Sequence, residues 1–184
     1  MALIKTNARG QSADLVTVPA FAVGGTVSEY VSGGTRYRVH TFLDTSQISF
    51  TGNLTCDFMI LAGGGGSAAA EGQQGASGGG GAGGMVVGTS QTITSGNYAV
   101  VIGASGAKST NVSVAGSSGG NSSFNSYVGT GGGAGPDYGT DGVNGGSGSG
   151  GSEPGRAAGT STQATYSGVT NVTCLLYTSP SPRD

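Results

Sequence analysis

Residues 58–72 read FMILAGGGGSAAAEG: four strongly apolar side chains, one alanine, then a block of glycines. The apolar run marks a buried strand, yet glycine loses more freedom on ordering than any other residue. The spacing of the glycines resolves this conflict. Every third position from Gly63 is Gly63, Gly66, Ala69, Gly72, Gly75, Gly78, Gly81 and Gly84. A second run is Gly139, Gly142, Gly145, Gly148 and Gly151, preceded by the shorter phase Gly129, Gly132 and Gly135. A period of three belongs to an extended left-handed helix with ~3 residues per turn and ~3.1 Å rise. Collagen, which shares that helix, needs proline-rich repeats, and GTDGVNGGSGSG (139–150) has no proline. The spacing therefore predicts polyglycine-II-like helices packed side by side, with backbone N–H and C=O groups bonded between neighbours. A strand leaving a sheet at Leu61 then runs straight on into such a helix. The alternative is a flexible Gly/Ser linker.

Around the tracts lie strand signals. TRYRVHTF (35–42) alternates Tyr37 and Val39 against Arg36, Arg38 and His40, which predicts a half-buried strand with the first pair inward. SQISF (46–50) repeats the pattern with Ile48 and Phe50, and LTCDFMILA (54–62) places Leu54, Cys56, Phe58 and Ile60 on one face. MVVG, QTITSGNYAVVIG, TNVSVAG, SSFNSYV and QATYSGVTNVT follow as further strands, rich in Thr, Val, Ile and Tyr. No segment holds a 3.6-residue period over three turns. The fold class is all-β, a β-sandwich-like core with glycine-rich insertions at about 63–84 and 129–159.

Composition narrows the function. Of 184 residues, 40 are glycine, only 9% are charged and the net charge is −2, so no basic surface argues for nucleic acid. No stretch approaches the ~20 apolar residues of a membrane span, and MALIKTNARGQSADLV lacks the apolar run of a secretory leader. The final CLLYTSPSPRD (174–184) has no glycine and reads as a translated sequencing-library adapter, with the natural chain continuing past about Thr173. Setting it aside leaves Cys56 alone, with neither an intramolecular disulfide nor a cysteine-pair metal site. Residues 1–23 form an N-terminal attachment segment and 24–173 the glycine-rich β domain in this reading.

Chemistry is sparse. VVIGASGAKST mimics a phosphate-binding loop, but Ala107 separates Gly106 from Lys108 and no helix follows. His40, the only histidine, falls on the polar face of its strand, and Cys56 on an apolar face is a small buried thiol. Asp137, Asp141 and Asn144 invite a calcium reading but match no calcium-loop spacing. No paired carboxylates stand out for hydrolysis. The reading is therefore non-enzymatic, with no catalytic residue, cofactor or metal. Binding potential rests in the loops between glycine runs, with Gln73, Gln74, Asp137 and Tyr138 as the candidate contacts.

YRVHTFLDTSQISF, DFMILAGGGG, GGGGAGGMVVG, NYAVVIGASG and GGNSSFNSYVGTGGGAG, in that order, resemble the glycine-rich domain of phage tail-fibre and tail-tip proteins. The first residues are similar to those of short phage tail proteins. This resemblance implies a structural or host-recognition, adhesin-like part of a virion. Its expected partners are other phage tail proteins and a host surface glycan or outer-membrane protein, with neither nucleic acid nor membrane insertion. The competing expectation is a glycine-rich structural protein of a bacterial cell surface.

Overall fold

The structure is a computed structural model and describes residues 1–7, 20–69, 77–111, 113–153 and 155–172. Their regular elements are all strands: β1 (Ala2–Asn7), β2 (Ala22–Val23), β3 (Thr26–Ser32), β4 (Thr35–Phe42), β5 (Ser46–Phe50) and β6 (Leu54–Leu61), then β7 (Met85–Ile93), β8 (Gly96–Val101), β9 (Ser122–Phe124), β10 (Tyr127–Gly129) and β11 (Thr170–Val172). They form two antiparallel sheets, one of order β11-β7-β6-β1-β4-β3 and one of order β10-β9-β8-β5-β2. Ile4, Phe42, Phe58, Ile60 and Val86 from the first meet Ile48, Phe50, Val100 and Phe124 from the second in one buried cluster. The Phe124 ring lies edge-on to Phe58 at 5.6 Å across the two sheets. The chain is a β-sandwich, and each such fully buried side chain stabilises it by about 1.5–3 kcal/mol.

Alternation puts Cys56, Phe58 and Ile60 of β6 inward, and Ile48 and Phe50 of β5 likewise, as their spacing predicts. In β4 the predicted faces are exchanged. His40 and Phe42 point into the core, while Tyr37 and Val39 face outward. Register explains the exchange: Phe42 and His40 pair with Ala2 and Ile4, both in the core, and a strand's side-chain period of two carries the rest. The buried imidazole is held by a 2.7 Å hydrogen bond between Nδ1 and the Gly24 carbonyl, where the chain crosses from β2 to β3. Outside, Tyr37 stacks on Tyr30 at 5.1 Å and carries the Lys5 ammonium 3.9 Å from its ring centre. The β3–β4 hairpin closes through Gly33 and Gly34, both at positive φ (56° and 77°), as a two-residue primed turn demands.

Residues 1–23, set apart in the sequence, contribute β1 to the middle of the six-stranded sheet, between β4 and β6. MVVG and QTI, read as separate, are the single strand β7. Gly88 lies within it because a Cβ there would sit 2.4 Å from the Phe58 ring. TNVSVAG (110–116) is no strand at its described residues. Gly103, Gly106, Gly116 and Gly119 flank it at spacings of three and draw this whole excursion into the glycine bundle.

The bundle is made of extended tracts leaving one end of the sandwich. Residues 62–69 run out from β6 and 77–84 return to β7; 102–111 run out from β8 and 113–121 return to β9; 130–136 run out from β10. The chain doubles back at Gly146, whose N–H donates to Gly131, and runs outward to Gly150, which donates to Gly79; residues 155–162 lie alongside, Gly159 donating to Ser149. The tracts' hydrogen bonds recur at intervals of three. Gly63 and Gly66 donate to Gly120 and Ser117, Gly106 and Ser109 to Gly64 and Ser67, Gly116 and Gly119 to Gly135 and Gly132, Gly132 and Gly135 to Gly63 and Gly66, and Gly81 and Gly84 to Gly133 and Thr130. A strand would return to the same neighbour every second residue; a threefold helix does so every third. These are the polyglycine-II-like insertions of the fold class. Residues 131–136 are buried throughout, so this tract is the axis of the bundle.

Candidate functional site

The outward tracts, of seven to ten described residues, span roughly 20–30 Å at ~3.1 Å per residue, so their turns lie well away from the sandwich. The best-defined turn spans residues 137–140. The Asp137 carboxylate accepts the Tyr138 N–H at 2.7 Å, and its carbonyl accepts the Thr140 hydroxyl at 2.7 Å. That self-bonded loop is the turn chemistry expected of aspartate. Tyr138, 55% exposed, is left projecting to solvent. A second turn is fastened beside it: the Thr140 N–H donates to Ser152 Oγ at 3.0 Å, and Arg156 pairs with Glu153 at 3.6 Å. A Cβ on Gly139 would lie 3.9 Å from both Arg156 Nη2 and Glu153 Oε1. A phenol, a carboxylate and an ion pair thus share one tip. Gln73 and Gln74, the other candidate contacts, lie outside the described residues, as do Gly72, Gly75 and the segment 174–184.

The glycines supporting the tip are crowded by backbone, not by side chains. A Cβ at Gly63, Gly66 or Gly81 would stand 2.0–2.2 Å from the carbonyl oxygen of Ala104, Ala107 or Ser147. Gly78, Gly142, Gly145, Gly148 and Gly151 are closed off in the same way, and Gly84 is closed off by the Gln163 side chain. Gly139 differs: its φ is +72° and its surroundings are open, so it serves the turn rather than the packing. Close approach is not confined to one phase. Gly65, Gly80, Gly83, Gly131 and Gly133 are as tightly enclosed, at 1.9–2.2 Å. Gly64 and Gly79 are open, at 3.7 Å and with nothing within 4 Å. Single faces are buried only at the rim; the axial tract is enclosed on every side.

Sequence reasoning missed the polar side chains that satisfy the tracts' remaining backbone groups. Gln163, 8% exposed, accepts the Thr130 N–H at 2.8 Å and donates to the Val128 carbonyl at 2.9 Å. Asn121 accepts from Gly131, Ser118 from Ala134 and Ser149 from Val143. Asp141 accepts the Ala157 N–H at 3.0 Å and Asn144 the Thr160 N–H at 2.7 Å. Those two side chains, which invited a calcium reading, brace a neighbouring tract. The available signal was a polar residue one or two places from an in-phase glycine, which low-complexity sequence hides among many serines.

Cys56 is buried, and that burial, with Asp57 beside it, pushes its thiol up to about 12. Lys108 sits in an extended tract that follows β8, not at a helix start. The Tyr30 hydroxyl first, and the Asp57 carboxylate next, hold the Lys5 ammonium above its ordinary value. Bonding to Arg38 holds the Glu29 carboxyl below its ordinary value.

Comparison with curated proteins and with solved structures returned no match. Comparison with protein families matched residues 41–173 to one described as "Glycine-rich domain", a span running from the end of β4 past β11 and including every tract of the bundle. Strands β5 to β11 and the glycine bundle they feed lie within that span, and the chain belongs to the glycine-rich domain family.

Proposed function

We propose that this chain is a non-enzymatic, phage tail-associated protein with a structural or host-recognition role, in which the glycine bundle carries adhesin-like tips. The supporting observation is the tip itself. Tyr138 is exposed on a self-bonded turn, at the end of a bundle whose axis is enclosed by backbone on all sides. A rigid stalk with a small polar and aromatic end suits recognition, because ordering costs are met before the partner arrives. An exposed phenol gives large contact area at low rotamer cost, against a sugar ring or an outer-membrane loop. The resemblance of the chain's glycine and strand segments to phage tail proteins supplies the virion setting. Antibodies raised to the purified chain test the reading on intact phage particles of the source. Gold label at the tail, with loss of host adsorption on antibody treatment, is the expected result. Label confined to the bacterial envelope supports the cell-surface alternative instead.

A further inference from the structure

The two sheets differ on the faces they turn away from the core. An antiparallel sheet with one solvated face alternates apolar inward with polar outward. The five-stranded sheet largely does so: Gln47, Ser49, Asn97 and Ser123 point outward, with Ala99 and Val101 the apolar exceptions on β8. The six-stranded sheet does not. Besides Thr41, Thr55, Thr92 and Ser28, its outward positions include a contiguous apolar set: Leu3 on β1, Val39 and Tyr37 on β4, Met59 and Leu61 on β6, and Met85 and Val87 on β7. None of them belongs to the buried core cluster, and Leu61 is 40% exposed. At the centre of this apolar face stands one charge of each sign, Lys5 on β1 and Asp57 on β6, paired at 3.3 Å and level with each other in register.

From this face we infer that the chain forms a dimer in which the six-stranded sheets of two copies pack face to face. The axis is a two-fold parallel to the strands, passing between β1 and β6. Those are the two middle strands of the six, so the rotation sets β1 of one copy against β6 of the other. Register levels are preserved about such an axis. Leu3 then meets Met59 of the second copy, and Lys5 meets its Asp57, because each pair is already level within one chain. The charges alternate in a ring of four, which fixes the register of the dimer as much as it adds affinity. The footprint is adequate. Six strands ~4.8 Å apart, each about six residues long at ~3.4 Å, cover roughly 600 Å² in plan. With side-chain relief this approaches the ~800 Å² per partner of a standard stable interface. Sheets packed in this way lie ~10 Å apart. Because the axis runs along the strands, both glycine bundles leave from the same end, presenting two tips side by side. The dimer goes beyond the tail reading and does not depend on it.

Sedimentation equilibrium of the whole chain at about 100 μM, above the affinity range of interfaces this size, should give the dimer mass. Charge reversal then tests the axis. Lys5→Asp leaves two acids on the face and Asp57→Lys two bases, so each variant alone should be monomeric. An equimolar mixture should restore a one-to-one dimer. A monomeric wild type overturns the inference, as does either variant dimerising alone as well as the wild type. Far-UV circular dichroism checks that both variants fold. Should either fail to fold, zero-length carbodiimide coupling of the wild type decides. A covalent dimer joined from Lys5 to Asp57 is expected, and coupling only within single chains refutes the axis.

Discussion

Placing a methyl group at Gly132 should nearly unfold the domain, although alanine is ordinarily the mildest of substitutions. The added Cβ would lie 2.0 Å from the Gly81 carbonyl oxygen and 2.8 Å from the Ala82 carbonyl carbon. Both are backbone atoms, which no rotamer change can move. Relief to an ordinary contact requires the axial tract and residues 77–84 to separate by roughly 1.2 Å or more, since nonbonded carbon and oxygen need ~3.2 Å or beyond. The bonds across that gap are Gly81 N–H to Gly133 at 2.8 Å and Gly84 N–H to Thr130 at 2.7 Å, and neither survives such a shift. Each buried group left unpaired costs about 1–3 kcal/mol, so Gly132→Ala should cost about 3–5 kcal/mol against a typical total of ~5–15. Gly79→Ala is the control. Nothing lies within 4 Å of its Cβ position, so it should stabilise by about 0.4–1 kcal/mol through the unfolded chain alone. With a urea slope near ~2 kcal/mol/M, the two midpoints should differ by about 2 M. Indistinguishable midpoints would refute a close-packed bundle and leave a tethered linker in its place.

Three further outcomes follow from the same geometry. Gln163→Leu removes the acceptor of the Thr130 N–H and should lower stability in urea by about 1–3 kcal/mol; unchanged stability would mean the Gln163 plug is dispensable. The Cys56 thiol is raised from 9.0 to about 12 in the fold, so the unfolded chain loses its proton first and stability falls as pH rises above 9.0. At pH 10 that linkage is about 1.4 kcal/mol, and Cys56→Ala should flatten this part of the profile relative to the wild type. Tyr138→Ala should leave the melting temperature unchanged, since the ring is exposed, while reducing adsorption of particles carrying it; intact adsorption would place recognition elsewhere.

The glycine phase was legible because period three has few physical causes, and the strands around it because their alternation is strong in β5 and β6. Legibility failed where two periods competed. In β4 both faces carry bulky residues, and the arginines made the odd-numbered face look like the inner one. Only the pairing of Phe42 and His40 with Ala2 and Ile4 selects the other. In TNVSVAG the β-branched residues outweighed the flanking glycines on propensity, yet the flanks' backbone bonds to Ala104, Ala107 and Gly135 decide the conformation. Propensity is a property of side chains, and the contacts between these tracts are made chiefly by backbone.

A core with no side chains has a different relation to sequence from a core of phenylalanines. In the sandwich, Phe58 or Ile60 could exchange with another apolar residue of similar volume at modest cost. In the bundle, Gly65 or Gly133 has no substitute, because backbone already fills the space a Cβ would take. The freedom lost inside is recovered at the 137–140 turn, where Tyr138 projects to solvent and Gly139 has open surroundings. Stability thus resides in close backbone contacts, and surface chemistry in a few loop positions. A bundle built this way tolerates change at its tip while forbidding it along its axis, a division that suits the recognition role proposed for it.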